Sequence, residues 1–179
     1  PCRAVARAAK EGGTRGGGKA RTADGRGVGG GGDMRSLGEL RLGVRGGFAG
    51  GGSTSANGNL DRNVQGTLDN GGKVAAGQQL NLSSVALNNR QSGEISGLRT
   101  LVNVAGALTN RGLIDGVETV LRAASVSNIG SGRLYGDQLS IQAAELNNLA
   151  EGGSSATIAA RQRLDLGVGT LYNSEHSLI

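Results

Sequence analysis

Side chains that do acid–base, nucleophilic or metal chemistry are few in this chain of 179 residues. Asp115, Glu118 and Asp137 could align on one face if a repeat brought their segments together, which would suggest a calcium or catalytic site. The only histidine is His176, and the only cysteine, Cys2, excludes an intrachain disulfide. Because outward charges on strands are usually just solvated, we predict no catalytic, cofactor-binding or metal-binding residue, no cofactor and no enzymatic activity.

Two glycine-rich patterns match ligand-binding motifs. The triplets Arg15-Gly16-Gly17 and Arg45-Gly46-Gly47 are typical of RNA-binding tails, and Gly27-x-Gly29-x-x-Gly32 matches the dinucleotide fingerprint. Such strings arise by chance where glycine is abundant, and no strand–turn–helix pattern surrounds the fingerprint. We expect no nucleic-acid partner, and RNA binding through the Arg-Gly-Gly leader is the less favoured alternative.

The basic charge of the chain is confined to its amino-terminal part. Residues 1–53 hold 10 Lys or Arg and 4 Asp or Glu, a net charge of +6, together with 18 of the 35 glycines. Residues 54–179 hold 9 Lys or Arg and 10 Asp or Glu, a net charge of −1. We predict that residues 1–57 are a disordered Gly/Arg-rich leader or a non-native segment, because they have little to form a core.

Residues 58–179 are organised by a repeat whose clearest part is Leu-x-Asn. It occurs at Leu68-Asp69-Asn70, Leu87-Asn88-Asn89, Leu108-Thr109-Asn110, Leu146-Asn147-Asn148 and Leu171-Tyr172-Asn173, with Val126-Ser127-Asn128 in the same place. The asparagines are 19, 21, 18, 20 and 25 residues apart. A unit of this length has no room for an ordinary helix and too few apolar side chains to fold alone, so it must stack on copies of itself as a parallel β-helix.

The repeat predicts which side chains face the lumen. Five coils are expected, at residues 66–89, 90–110, 111–128, 129–148 and 149–173. The period-two alternation points inward at Val74, Leu80, Leu82, Val85, Leu87, Ile95, Val104 and Ile141, and outward at Lys73, Gln79, Asn81 and Ser83. Second strands are expected at Leu80-x-Leu82, Val102-x-Val104, Leu139-x-Ile141 and Leu164-x-Leu166. Equivalent asparagines should stack at one corner, because their amides can bond along the axis.

Three departures from regularity are also predicted. Leu60-Asp61-Arg62-Asn63 resembles a degenerate first Leu-x-Asn unit, so the ordered helix should begin between Asn59 and Gly66. The short third coil should be irregular near residues 118–124. Residues 150–155 should bulge as an inserted loop.

The Leu-x-Asn-x-Gly-Gly-x-Ile pattern resembles the haemagglutinin repeats of bacterial filamentous haemagglutinins and contact-dependent growth-inhibition proteins. This resemblance, over roughly residues 58–179, implies an all-β, right-handed parallel β-helix of a protein that is secreted or held at the bacterial cell surface. It implies an outer-membrane two-partner secretion transporter as partner, and contact with a host or neighbouring-cell surface through parts outside this chain. The expected function is a structural shaft that presents a distal adhesive or toxic tip of an adhesin or toxin carrier.

The remaining expectations concern location and completeness. No run of about 18 apolar residues exists, so we expect no membrane insertion. The chain ends at Ser177-Leu178-Ile179, where another coil should start, so we expect a β-helix that is incomplete at its carboxyl end. A non-functional fragment or a mis-framed remnant of such a gene is the alternative. Polysaccharide lyases also use parallel β-helices, but they would require an acidic and basic cluster in one groove, which the sequence does not offer.

Overall fold

A computed structural model describes residues 14–16, 20–24 and 28–179, and in these residues the chain is all-β. Sixteen strands form one parallel sheet that winds around an apolar lumen. They are β1 (Thr14–Gly16), β2 (Ala20–Asp24), β3 (Val28–Gly30), β4 (Met34–Ser36), β5 (Leu40–Val44), β6 (Phe48–Gly50), β7 (Thr54–Ala56), β8 (Leu60–Asn70), β9 (Lys73–Ala76), β10 (Gln79–Asn89), β11 (Glu94–Val104), β12 (Ala107–Asn110), β13 (Leu113–Arg122), β14 (Ser125–Ile129), β15 (Arg133–Leu149) and β16 (Thr157–Asn173). The predicted fold class, a parallel β-helix, is confirmed.

Each coil contributes to three ladders of parallel strands. The first ladder joins β1, β4, β7 and β9 to the opening residues of β11, β13, β15 and β16. The second ladder continues from β2 and β5 through the beginnings of β8 and β10 into β11, β13, β15 and β16. The third ladder contains β3, β6, the ends of β8 and β10, β12, β14, and the ends of β15 and β16.

The lumen is filled by the inward side chains of all three ladders. Seven of the eight residues predicted to face it are buried, namely Val74, Leu80, Leu82, Leu87, Ile95, Val104 and Ile141. Burying a side chain of this size stabilises the fold by about 1.5–3 kcal/mol. The strand register explains why inward residues recur at a nearly constant spacing, because each one stacks on its equivalent in the next coil.

Val85 is the exception, and its predicted lumen position is wrong. The register of β8 and β10 shifts between Ser84 and Ala86, because β10 has the single residue Val85 where β8 has two, residues 65 and 66. Ser84 is buried in place of the expected apolar residue, while Val85 is 51% exposed. The inward alternation of β10 therefore changes phase at this corner, from Ser84 before it to Leu87 after it.

The register observed in the second ladder differs from the predicted alignment of its strands. The counterpart of Leu80-x-Leu82 is Thr100-x-Val102, followed by Thr119-x-Leu121, and not Val102-x-Val104. Thr100 can occupy a lumen position because its hydroxyl donates a 2.8 Å hydrogen bond to the carbonyl oxygen of Asp115. The irregularity expected near residues 118–124 is therefore limited to Ala123 and Ala124, since β13 is regular through Arg122.

The β-helix also extends further toward the amino terminus than the sequence predicts. Within the predicted leader of residues 1–57, the strands β3 to β7 stack in register beneath the later coils. Leu60 lies between Leu40 and Leu80 in the second ladder, so residues 60–63 are not a Leu-x-Asn unit. Apolar residues spaced 20 apart supply the lumen here despite the abundant glycine. Residues 1–13, 17–19 and 25–27 of that leader lie outside the described residues.

The predicted insertion is confirmed as a surface turn between β15 and β16. Residues 151–155 are exposed, and Glu151 and Ser154 exchange backbone hydrogen bonds across the turn. Gly152 and Gly153 have φ angles of 59° and 76°, which a residue with a side chain rarely adopts. The loop therefore leaves the coil without interrupting the ladders on either side of it.

Candidate functional site

Stacked asparagines form the most regular polar feature of the molecule. Each side-chain amide donates to the side-chain oxygen of the next, at 2.8 Å or 2.9 Å, along the series Asn70, Asn89, Asn110, Asn128, Asn148 and Asn173. The first five side chains are buried, with at most 2% exposed. This asparagine ladder confirms the predicted stack, and its amides hydrogen-bond to each other inside the fold.

The same geometry explains why the repeat contains glycine after the asparagine. A Cβ atom on Gly93 would lie 2.2 Å from the side-chain oxygen of Asn89, and one on Gly132 would lie 2.4 Å from that of Asn128. No larger residue fits beside the amide, because real Cβ contacts are never this short. The Leu-x-Asn and Gly parts of the repeat thus form one structural unit, in which leucine fills the lumen and asparagine closes the corner.

A groove of about 600 Å³ runs along the corner between the first and second ladders. Its floor includes Gly97, Gly116 and Gly136, and the neighbouring Leu98 and Val117 are 58% and 50% exposed. A Cβ on Gly116 would lie 2.8 Å from the carbonyl oxygen of Gly97. The sharp bend of the backbone therefore requires small residues here.

The groove brings together two of the three carboxylates that were considered for chemistry. Asp115 and Asp137 both line it, and Asp137 forms an ion pair of 3.1 Å with Arg161. Glu118 lies outside the groove and pairs with Arg99 at 3.0 Å. The described residues contain no group of three or more His, Cys, Asp or Glu side chains arranged to hold a metal ion.

Other outward charges form ion pairs between coils. Arg90 donates from both Nε and Nη2 to the two carboxylate oxygens of Asp69, which lies one coil below. Arg111 binds Glu151 through the same two nitrogens, at 2.8 Å and 3.1 Å. These hydrogen bonds hold the pKa of Asp69 and of Glu151 below the ordinary values of the two carboxyl groups. The charged surface thus contributes contacts along the axis.

Arg62 is the one charged side chain buried in the lumen among the described residues. It occupies the position of Leu42 and Leu82 in the coils below and above, and it is 2% exposed. Its Cζ lies 3.8 Å from the centre of the Phe48 ring. Burial lowers the pKa of its guanidinium to about 10, so the group remains charged at neutral pH. Burial of an unpaired cation costs on the order of several kcal/mol.

Sequence reasoning missed Arg62, since arginine on a strand is ordinarily assigned to the outer face. The signal was its spacing, because it lies 20 residues after Leu42 and 20 before Leu82. Treating residues 60–63 as part of a Leu-x-Asn unit hid that register.

The remaining motif residues are dispersed. Arg45-Gly46-Gly47 lies at the corner between β5 and β6, whereas Gly17 of the other triplet is outside the described residues. Gly29 of the apparent dinucleotide fingerprint is in β3, and the next element is the strand β4. His176 is exposed near the carboxyl end, and Cys2 lies outside the described residues.

Comparison with family models, with curated proteins and with solved structures finds no match for this chain. Within the described residues, no helix has the length and apolar character needed to cross a membrane. The functional argument therefore rests on the geometry of the coils and on the resemblance of the repeat.

Proposed function

We propose that this chain is a structural shaft segment of a large bacterial secreted adhesin or contact-dependent toxin carrier, and that it presents a distal adhesive or toxic tip. One observation carries the proposal. The asparagine ladder and the buried lumen residues continue unbroken from coil to coil between Asn70 and Asn148. The repeated element supplies the same contacts each time, so each coil adds length to the fold.

The contacts between coils support a role in setting distance. Parallel strands stack at about 4.8 Å, so every coil adds a fixed increment along the axis. In a solenoid each coil touches only its neighbours, and stability is approximately a sum of unit and interface terms. Adding or removing whole coils therefore changes reach in defined steps, which suits a spacer.

Deleting one coil in register tests whether the repeat behaves as a modular spacer. Removal of residues 80–99 joins Gln79 directly to Thr100, and Gln79 takes the register position of Arg99. We expect this variant to stay folded and shorter by one coil. The matched control removes residues 80–94, joins Gln79 to the first-ladder residue Ile95, and should lose cooperative unfolding.

Distance measurements between spin labels provide the readout. Labels at Ser55→Cys and Ala159→Cys, in a Cys2→Ser background, would lie five strand spacings apart in the first ladder. The separation should fall from about 24 Å to about 19 Å in the in-register deletion. An unchanged distance, or unfolding of both deletions, would contradict modular spacing.

Surface labelling of intact source cells tests the location. Antibodies against residues 58–179 should label intact cells, and deletion of the outer-membrane transporter should abolish the label. Label found only after cell lysis would contradict the shaft role. A salt-dependent RNA shift that disappears on deletion of residues 1–53 would favour the RNA-binding alternative instead.

A further inference from the structure

The guanidinium of Arg62 has two hydrogen-bond donors without a partner inside the β-helix. Its Nε and Nη2 atoms are buried and have no hydrogen-bond partner within the protein. Arg90 and Arg111 use these same two nitrogens to bind Asp69 and Glu151 on the outer surface. Two adjacent donors of this kind are the usual fork by which arginine binds an anion.

Among the described residues, no carboxylate in the lumen pairs with these two donors. The buried polar side chains of the described residues are Ser36, Thr54, Arg62, Asn70, Ser84, Asn89, Thr100, Asn110, Thr119, Asn128 and Asn148, and none is acidic. The sequence neighbour Asp61 lies on the outer face and pairs with Arg41 at 3.2 Å. The charge of Arg62 is therefore uncompensated by the protein in the described residues.

We propose that Arg62 binds a small monovalent inorganic anion, such as chloride, inside the β-helix. One negative charge neutralises the guanidinium, whereas a divalent oxyanion would leave a net negative charge among apolar side chains. Leu42 and Leu82 occupy the same register position on either side and confine the site to one coil. Phe48 covers one face of the guanidinium, which leaves the Nε and Nη2 edge for the anion.

This site is independent of the proposed shaft function. Phe48, which packs against the guanidinium, is only partly buried. An anion that binds the folded state and not the unfolded state raises stability in proportion to the logarithm of its concentration. Chloride should consequently stabilise the folded chain through Arg62.

Thermal unfolding of the full chain tests the proposal in sodium chloride and in sodium gluconate, a large organic anion, at the same ionic strength of about 0.15 M. The wild-type Tm should be higher in chloride by about 3 °C or more. Arg62→Leu restores the apolar register of Leu42 and Leu82, and it should show equal Tm values in the two salts. The control Arg41→Leu, an outward arginine, should keep the chloride effect.

Chloride-35 NMR supplies a second readout whose first step uses the wild-type protein alone. Line broadening in the presence of wild-type protein should be reversed by excess bromide and should be weaker for Arg62→Leu than for Arg41→Leu. The proposal is overturned if the wild-type Tm is equal in chloride and gluconate, if Arg62→Leu keeps the chloride effect, or if wild-type protein broadens no chloride signal.

Discussion

Two regions of the same β-helix are built differently. In the amino-terminal coils, residues 34–58, the strands β4 to β7 are three to five residues long. In the asparagine coils, residues 66–149, strands reach 11 residues in β10 and β11 and 17 in β15, because they continue around a corner. Gly50 takes the register position that Asn70 holds one coil later. Both regions share the strand register and the apolar lumen, but only the asparagine coils have hydrogen bonds between stacked side-chain amides.

This difference separates what specifies the fold from what strengthens it. Apolar residues at intervals of 20 suffice to place β5 beneath β8, even in a segment rich in glycine. Glycine loses more conformational freedom on folding than any other residue, and the amino-terminal coils gain no amide ladder to offset that loss. We therefore expect a gradient of stability along the axis, lowest in the amino-terminal coils.

The largest expected effect comes from a charge placed in the lumen. Ile141→Glu buries an unpaired carboxylate in the asparagine coils and should cost about 4 kcal/mol or more of unfolding free energy. Val44→Glu does the same in the amino-terminal coils, where local opening should limit the loss to those coils. Urea unfolding followed by circular dichroism measures both variants.

The control for these variants is Gln142→Glu, which adds a carboxylate to the neighbouring outward position beside Arg122. It should change the unfolding free energy by less than about 0.5 kcal/mol. Equal losses for Ile141→Glu and Gln142→Glu would reject the inside–outside assignment.

Breaking the asparagine ladder should make the asparagine coils resemble the amino-terminal ones. Asn110 accepts a hydrogen bond from Asn89 and donates one to Asn128, both at 2.8 Å. Asn110→Ala leaves buried partners unsatisfied and should cost about 2–3 kcal/mol. Thr109→Ala, at the preceding outward position, should cost less than about 0.5 kcal/mol. A small loss for Asn110→Ala, measured by urea unfolding, would show that the ladder is not a major source of stability.

Hydrogen exchange measures the gradient directly. Backbone amides of β5, β6 and β7 should exchange at least about 10-fold faster than those of β10, β11 and β15 at neutral pH. The short strands and the missing amide ladder are the reasons. Uniform protection along the axis, measured by mass spectrometry, would contradict the comparison.

The Leu-x-Asn repeat was predictable because it combines three local requirements in a few letters. Leu87 fills the lumen, Asn89 closes the corner, and Gly93 leaves space for the amide oxygen. Because each requirement fixes a residue type at a fixed spacing, the coils after residue 66 and their asparagine stack could be inferred from the sequence.

Other features depend on geometry that the sequence pattern does not display. The amino-terminal coils were missed because Gly50 replaces asparagine and glycine-rich composition resembles disorder. Val85 faces outward because the inward alternation of β10 changes phase at a corner where β8 has one residue more than β10, which no residue type signals here. The groove beside Gly116 forms only where corners from several coils line up. Arg62 was missed because arginine is ordinarily assigned to the outer face, although its spacing in the sequence indicated a lumen position.

The smallest expected effect is the acid dependence of one ion pair in the asparagine coils. Hydrogen bonds from Arg90 hold the pKa of Asp69 below its ordinary value in the folded state. A carboxyl group with a depressed folded pKa adds stability above its unfolded pKa, and this contribution is lost as pH falls through the folded pKa. Because the pair lies at the surface, solvent screens it and its contribution to stability should be small.

Comparison of wild type with Arg90→Gln isolates that contribution. Urea midpoints should differ at about pH 7 and converge as pH falls through the folded pKa of Asp69, because protonated Asp69 no longer gains from the arginine. Arg161→Gln, an arginine whose side chain is 86% exposed, is the control and should shift the midpoint less at either pH. A difference that persists in acid would mean that Arg90 stabilises the coils by packing its aliphatic stem. The surface contribution to the stability gradient would then be independent of charge.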